Sequence, residues 1–254
     1  MRYTYDCNMA NLSFSTIAYA LLGGILPAIV WLQFWLAENK KRSEPRGRLI
    51  ETFIAGMLAV VLVLPFQKAV NNIYGEGAMA FFLWAVLEEL FKFGAAYFAA
   101  LRTCDDKEPI DALIYMITAA LGFAALENAL FIINPLLQSN ALSGIVTGDL
   151  RFIGSTLLHT VASGTIGTGL ALTFYKTKNA RARAVFFALI LAVLFHTVFN
   201  LLIINASEFG TFLIFAGVWA GVTALIFMFE KVKTIKPALS TSSASGAVGR
   251  DTIG

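Results

Sequence analysis

The sequence predicts an all-α fold, a polytopic transmembrane helical bundle of about seven spans. Apolar residues make up 58% of the 254 residues and charged residues only 14%, whereas a soluble domain has about 45–50% and about 25%. The apolar residues fall in blocks of about 20, the length of a helix that crosses a bilayer. The alternation of a β-barrel is missing, so helices are left as the structure that satisfies the backbone in lipid.

Hydropathy places the predicted spans in runs that are separated by short loops. They cover residues 12–36, 49–70, 78–101, 110–133, 150–175, 184–205 and 210–230. We expect residues 1–236 to form one integral membrane domain. The segment 237–254 is rich in Ser, Ala, Gly and Thr and has no apolar periodicity, so we expect a disordered cytoplasmic tail.

Basic residues set the expected orientation. Most of the 19 Lys and Arg residues lie in the loops after spans 1, 3 and 5 and in the tail, so the positive-inside rule puts the N-terminus outside and the C-terminus in the cytoplasm. Cys7 and Cys104 then lie on opposite sides and are not expected to pair. Lys68 and Arg151, at outer span ends, are expected to snorkel. The net charge of +3 is spread over short loops, which argues against a nucleic-acid partner and leaves the lipid bilayer.

Polar residues inside the spans are the most informative, because a charge at a helix centre costs about 2.5–3.5 kcal/mol on the insertion scale. Span 3 carries Glu88, Glu89 and Lys92, span 4 carries Glu127 and Asn128, span 5 carries His159, and span 6 carries His196 and Asn200. In the predicted orientation we count residues from the outer end of each span. The polar residues of these four helices then spread over only roughly 8 Å along the membrane normal, so they lie at nearly the same depth. That level lies somewhat outside the midplane. The glycines of span 5 predict a tightly packed central helix.

Spacing within the helices predicts pairs. Glu88 and Lys92 are four residues apart, a favourable ion pair, so Glu89 needs another partner. Ser163 is expected to bond to its own helix, and Asn128 to orient Glu127 or bridge helices. Three glutamates against Lys92 leave two negative charges, which either one divalent cation, in a zinc-hydrolase ligand set, or protonation of carboxyls would balance. Both remain open.

Three classes of function fit such a site. A buried Glu–Lys pair is compatible with a membrane scaffold that has no catalytic activity. Carboxylates at this depth of the membrane are also compatible with an ion or proton transporter. However, the sequence shows no inverted repeat. Two histidines beside carboxylates suit the activation of water for hydrolysis.

The polar motifs resemble those of the PrsW family of intramembrane proteases, which is grouped with the CAAX prenyl proteases and the bacteriocin-processing enzymes. The resemblance covers residues 78–205, the expected catalytic core, and rests on EELFK (Glu88 to Lys92), FAALEN (Phe123 to Asn128), the lone His159 and HTVFN (His196 to Asn200). The CAAX branch has Arg where this chain has Phe93. A CAAX-type prenyl endopeptidase is therefore the less favoured alternative.

The resemblance implies an endopeptidase in the cytoplasmic membrane of a prokaryote. It would cleave a membrane protein, in some members an anti-sigma factor, near the extracytoplasmic side. Glu88 and Glu89 match the catalytic pair, Glu127 the second acidic motif, and His159 and His196 match metal ligands or oxyanion stabilisers, with Asn200 as oxyanion support. Because Lys92 is expected to hold Glu88, Glu89 is favoured as the base. One Zn²⁺, with His159, His196 and Glu89 as ligands, is the cofactor hypothesis.

Overall fold

Within the residues that it describes, the structure is a bundle of seven helical segments. It is a computed structural model that describes residues 13–39, 44–137, 146, 150–204 and 206–237. The helices are α1 (Phe14–Glu38), α2 (Arg46–Tyr74), α3 (Ala78–Ala96), α4 (Pro109–Leu137), α5 (Thr156–Leu172), α6 (Lys178–Ile203) and α7 (Glu208–Lys233). They follow the seven predicted apolar runs, which confirms the all-α fold. Cys7 and the predicted tail beyond residue 237 lie outside the described residues.

Five of these helices, α1, α2, α4, α6 and α7, are long and apolar enough to cross a membrane. α3 has three charged residues in its second half, and α5 has only 17 residues. A π-helical turn at Tyr97–Leu101 extends α3, and another at Arg151–Ser155 precedes α5. With these turns the two segments have 24 and 22 residues, or roughly 33–36 Å, which is enough to cross the hydrocarbon core of about 30 Å.

Local signals define where several helices begin and end. The side chains of Ser13, Thr177 and Ser207 each accept a hydrogen bond from a backbone N–H in the first turn of α1, α6 and α7, as N-cap residues do. Asp111 accepts two backbone N–H groups at the start of α4. α2 ends at Gly75, whose φ of 67° is favoured by glycine.

α4 is the central helix of the bundle. In its most apolar segment 72% of the residues are buried, against 17–33% in the other four spanning helices. It packs against α1, α2, α3 and α5. A Cβ added to Gly56 of α2 would lie 2.1 Å from the Ala119 carbonyl oxygen, and one added to Gly122 would lie 2.0 Å from that of Phe53. The α2 and α4 backbones therefore approach as closely as glycine allows.

α5 is the second central element, between α4, α6 and α7. All but three of its residues are buried, which confirms the predicted tight packing. The buried helices α4 and α5 face α3 and α6, so the polar residues of four helices point into the interior and not into lipid.

Ion pairs join the connections at one end of the bundle. Arg48 at the start of α2 pairs with Asp105 in the α3–α4 loop at 2.9 Å. Arg181 at the start of α6 pairs with Asp106 in the same loop at 3.3 Å. These contacts place the loops after α3 and α5 and the start of α2 together, at the end that the basic residues predict to be cytoplasmic. The orientation itself stays a prediction.

Candidate active site

Polar side chains from four helices meet in the interior. α3 supplies Glu88, Glu89 and Lys92, α4 supplies Glu127 and Asn128, α5 supplies His159, and α6 supplies His196. The structure thus brings together seven of the eight predicted site residues. Asn200 lies one turn beyond His196 on α6, where it is half-buried and makes no side-chain hydrogen bond to a residue that the structure describes.

Lys92 is the buried cation at the centre of this group, with a side chain that is 0% exposed. Its Nζ donates to Glu89 Oε1 at 2.6 Å and to His159 Nδ1 at 2.8 Å, and it lies 4.9 Å from the Phe123 ring centroid. The predicted pairing of Lys92 with Glu88 is wrong. Residues three and four apart are both neighbours on a helix, and here the Glu89 carboxylate is the one that turns towards α5 and α6.

Both oxygens of Glu89 accept hydrogen bonds. Oε1 accepts from Lys92 and is 3.0 Å from His196 Nδ1, and Oε2 accepts from the Ser163 hydroxyl at 2.9 Å. Ser163 therefore bonds to Glu89 and not to its own helix as predicted. A carboxylate that accepts three hydrogen bonds is a poor candidate for a free base, which removes the reason for favouring Glu89.

Glu88 has a hydrogen-bond partner among the described residues on only one of its two oxygens. Its Oε1 accepts from Gln67 Nε2 of α2 at 2.8 Å. Its Oε2 is buried and has no hydrogen-bond partner among the described residues; His196 Nε2 lies 3.6 Å away, beyond ordinary hydrogen-bond length. Glu88 thus presents an unpaired acceptor to His196.

The partners of the two histidines fix their tautomers. A lysine ammonium only donates, so the bond from Lys92 requires a lone pair on His159 Nδ1, and the proton of the neutral ring lies on Nε2, which faces Glu127 Oε2 at 3.0 Å. In His196, Nδ1 carries the proton and donates to Glu89. Nε2 of neutral His196 then has a free lone pair, directed at Glu88.

Arg151 enters the site from the π-helical turn before α5. Its Nη2 pairs with Glu127 Oε2, and its Nε donates to Asn128 Oδ1 at 2.6 Å. Asn128 also donates to Thr156 Oγ1 at 2.8 Å, which confirms that it bridges helices. The prediction that Arg151 snorkels is wrong, because it finds a carboxylate and an amide in the protein; Lys68 is exposed as expected.

Sequence reasoning missed two residues that contact the site, Gln67 and Arg151. Gln67 is an amide in an otherwise apolar stretch of α2, and that isolation was the available signal. Arg151 could have been found by asking which cation balances Glu127, since both were placed near the outer side. With Arg151 included, three carboxylates face two cations, and one negative charge is left rather than two.

The donor set fits a metal ion. One ligand atom each from Glu88, His159 and His196 lies within 4.8 Å of the others, so the carboxylate in this group is Glu88 and not Glu89 as predicted. Each histidine also has a carboxylate on its other nitrogen, Glu127 for His159 and Glu89 for His196. Metal-binding histidines are usually oriented in this way. His159 Nδ1, the nitrogen opposite Glu127, accepts from the Lys92 ammonium, and a metal ion on this nitrogen would have to displace that bond.

Carboxylates and histidines that meet within the spans of a polytopic helical protein are groups that an intramembrane hydrolase can use to activate water. Residues 44–229 match the family described as "PrsW family intramembrane metalloprotease", and the chain belongs to this family. It is therefore an intramembrane protease. The match places it on the PrsW side and not in the CAAX branch, and it favours an enzyme over a silent scaffold or a transporter.

Curated relatives agree with this assignment. The chain is 28% identical to "Protease PrsW" of Oceanobacillus iheyensis, over 74% of this chain and 85% of the relative. It is 26% identical to "Protease PrsW" of Halalkalibacterium halodurans, over the same shares. The identity to "Protease PrsW" of Bacillus subtilis is 22%, over 73% of this chain and 83% of the relative. No solved structure matches the chain.

Proposed function

We propose that this protease hydrolyses a peptide bond of a membrane-protein substrate, with Glu88 as the base that activates the attacking water. The observation that carries the proposal is the buried Glu88 Oε2, which has no hydrogen-bond partner among the described residues and lies 3.6 Å from His196 Nε2. Two acceptors that face each other in this way suit a water molecule that donates one hydrogen to each.

The remaining contacts hold these two acceptors in place. Gln67 fixes the other oxygen of Glu88, and Glu89 fixes His196 by accepting from Nδ1. Glu88 would take the proton of the water as it attacks the scissile carbonyl and would then deliver it to the leaving amine. Asn200, one turn from His196 on α6, is proposed as oxyanion support.

Zinc is the proposed metal, with Glu88, His159 and His196 as ligands. When bound, it would lower the pKa of a bound water and polarise the carbonyl. In that state Glu88 would serve as a ligand, and the metal would replace it as the group that activates the water. The neutral lone pairs of both imidazoles and the carboxylate oxygen are the ligand types of hydrolytic zinc sites. In that state His159 Nδ1 would exchange its bond with Lys92 for the ion, while Lys92 keeps Glu89 as its partner.

We further propose cleavage near the extracytoplasmic side of the cytoplasmic membrane, with an anti-sigma factor as one candidate substrate. The N-terminus would lie outside and the C-terminus inside, as the loop charges predict. Glu88 lies 10 residues after the start of α3 and 17 residues before Asp105 of the ion-paired loop, which supports an outward displacement. Residues 78–205, inside the family match, would form the catalytic core of a membrane domain that spans 1–236, and 237–254 would be its tail.

Proteolysis is tested by mapping new protein N-termini in bacterial membranes that contain the wild type or Glu88→Gln. We expect N-termini in or beside transmembrane segments of other proteins with the wild type alone. Glu51→Gln is the matched control, because it makes the same change at a glutamate whose side chain is 61% exposed, and it should leave the cleavage products unchanged. Equal products with Glu88→Gln and the wild type would contradict the proposal.

Zinc is tested separately by mass spectrometry of protein that was purified without chelators. We expect about one zinc per chain in the wild type, as one tetrahedral site implies, and its loss in the His159→Ala/His196→Ala double variant. If neither protein contains metal, the zinc proposal is wrong, and Glu88 alone would have to activate the water.

A further inference from the structure

Asn71 is a polar residue on the face of α2 that points into the bundle. On this face Val63 is buried, and Gln67 and Asn71 follow it at four-residue spacing and are half-buried, whereas the neighbouring Asn72 is exposed. Residues four apart lie above one another on a helix. Because Gln67 bonds to Glu88, the Asn71 side chain lies on the site side of α2, one turn closer to the end that is predicted to be outside.

The Asn71 amide has no partner in the part of the chain that the structure describes. Its Oδ1 is buried and accepts no hydrogen bond, and its Nδ2 donates none. Gln67 and Asn128, by contrast, both use their amides in hydrogen bonds within the protein. Leaving a buried amide oxygen unpaired costs stability. A ligand therefore explains this group better than the packing of the helices does.

An unwound segment of a substrate has the chemistry that such an amide binds. A peptide bond within a helix has its carbonyl in a helical hydrogen bond, so the helix must open before water can attack it. Opening frees backbone N–H and C=O groups, which need new partners inside a membrane. A primary amide is both a donor and an acceptor, and rotation about its terminal side-chain bond is only weakly restricted. Asn71 can thus offer either group to an extended backbone.

We propose that Asn71 binds the backbone of the unwound substrate and thereby fixes which peptide bond is cleaved. The inference rests on the proposed function, because it takes the cleaved bond to lie at Glu88. From Gln67 to Asn71 the helix rises about 6 Å, and an extended chain covers about 3.3 Å per residue. Asn71 therefore meets the substrate about two residues from the cleaved bond, towards the outer end of α2.

Stability gives the first test. Asn71→Leu removes the amide and keeps a side chain of similar size. Its thermal midpoint should equal or exceed that of the wild type, because the unpaired buried oxygen is gone. Asn72→Leu is the matched control, since it makes the same change at the adjacent, exposed asparagine. A lower midpoint in Asn71→Leu would show that the amide serves the fold.

The position of cleavage gives the second test, by mapping new protein N-termini in bacterial membranes that contain each variant. With the wild type and with Asn72→Leu we expect one position in each substrate. With Asn71→Leu we expect about 3- to 10-fold less product, the effect of one lost hydrogen bond, and N-termini that spread over neighbouring residues. Asn71→Gln keeps an amide and should retain most of the product.

The bond to the backbone is tested with synthetic transmembrane peptides that carry a mapped cleavage sequence. In each peptide one backbone N–H near the cleaved bond is replaced by an ester oxygen. Replacement about two residues from this bond should slow cleavage by the wild type but not by Asn71→Leu, as expected for two groups that contact each other. Equal effects on both proteins at every position would contradict the contact.

The outcomes separate this inference from the proposed function. If the wild type cleaves substrates and Asn71→Leu gives the same positions and amounts, the role of Asn71 is wrong and the proposed function stands. A lower thermal midpoint with less product at unchanged positions would make Asn71 a structural residue and would also overturn the inference. If the wild type produces no new N-termini, the proposed function is wrong, and the inference fails with it.

Discussion

The adjacent glutamates of α3 should respond differently to the same substitution. Glu88→Gln changes the carboxylate with an unpaired oxygen, and the amide oxygen can still accept from Gln67. It also removes the one negative charge that the two cations of the site leave unbalanced. We therefore expect a folded protein with a thermal midpoint close to that of the wild type. Cleavage should fall by about 100- to 10,000-fold, the contribution of a general base.

Glu89→Gln should act mainly on stability. It removes the charge partner of Lys92, whose side chain is fully buried. Breaking a buried ion pair on one side costs about 3–5 kcal/mol, because the other charge stays buried without compensation. For a chain of this length that corresponds to a drop of about 10 °C in the thermal midpoint.

Both variants are compared with the wild type in the same detergent, by thermal unfolding and by cleavage of one substrate. The expected pattern is a stable, inactive Glu88→Gln and a destabilised Glu89→Gln. If Glu88→Gln cleaves at the wild-type rate, or if Glu89→Gln keeps the wild-type midpoint, the roles are assigned wrongly.

Three further predictions concern packing, pH and orientation. Gly56→Ala should lower the free energy of unfolding by about 1–3 kcal/mol or more, and with it the thermal midpoint, because its Cβ would meet the Ala119 carbonyl oxygen at 2.1 Å. Gly217→Ala, with nothing within 4 Å of its Cβ, should leave the midpoint unchanged. Burial raises the pKa of Asp106 to about 6 from 3.8, so its ionisation destabilises the folded state as the pH rises through that interval. Asp106→Asn should therefore gain stability relative to the wild type between pH 4 and pH 7, and a constant difference in thermal midpoint would contradict this. In a variant whose single cysteine is the exposed Cys104, a membrane-impermeant maleimide should label inverted vesicles alone; labelling of intact cells would reverse the predicted orientation.

The fold could be predicted from the sequence because each span is recorded locally, in a run of apolar residues between charged loops. The common level of the polar residues followed from the same information, since the rise per residue of a helix is fixed. Glu88, His159 and His196 do lie close together in the structure. Counting residues along each helix was therefore sufficient to predict that these three helices share a site, although it gave no distance between them.

Partner choice within the site could not be predicted, because it depends on side-chain directions across helices. Glu88 and Glu89 are both within reach of Lys92 along α3, and it is the contacts of Glu89 with α5 and α6 that decide the pair. In the sequence, nothing distinguishes Arg151 from other cations that lie at the end of a span and snorkel to the membrane surface. Its contact with Glu127, 24 residues earlier, lies beyond what local spacing can show.

Buried charged groups need hydrogen-bond partners to offset the cost of their burial, and this requirement shows which polar group of the site is left without one. The polar groups form one line from the rim inward, in the order Arg151, Glu127, His159, Lys92, Glu89, His196 and Glu88. The members from Glu127 to Glu89 each have a hydrogen-bond partner on both sides, and such connected networks offset the penalty of low dielectric surroundings. The two ends differ, since Arg151 reaches the surface and Glu88 keeps an oxygen without a partner among the described residues. A proton is accepted only where a lone pair is free. Two buried residues of the line keep a lone pair without a partner among the described residues, His196 on Nε2 and Glu88 on Oε2, and they lie together at its inner end, which supports the proposal that Glu88 is the base.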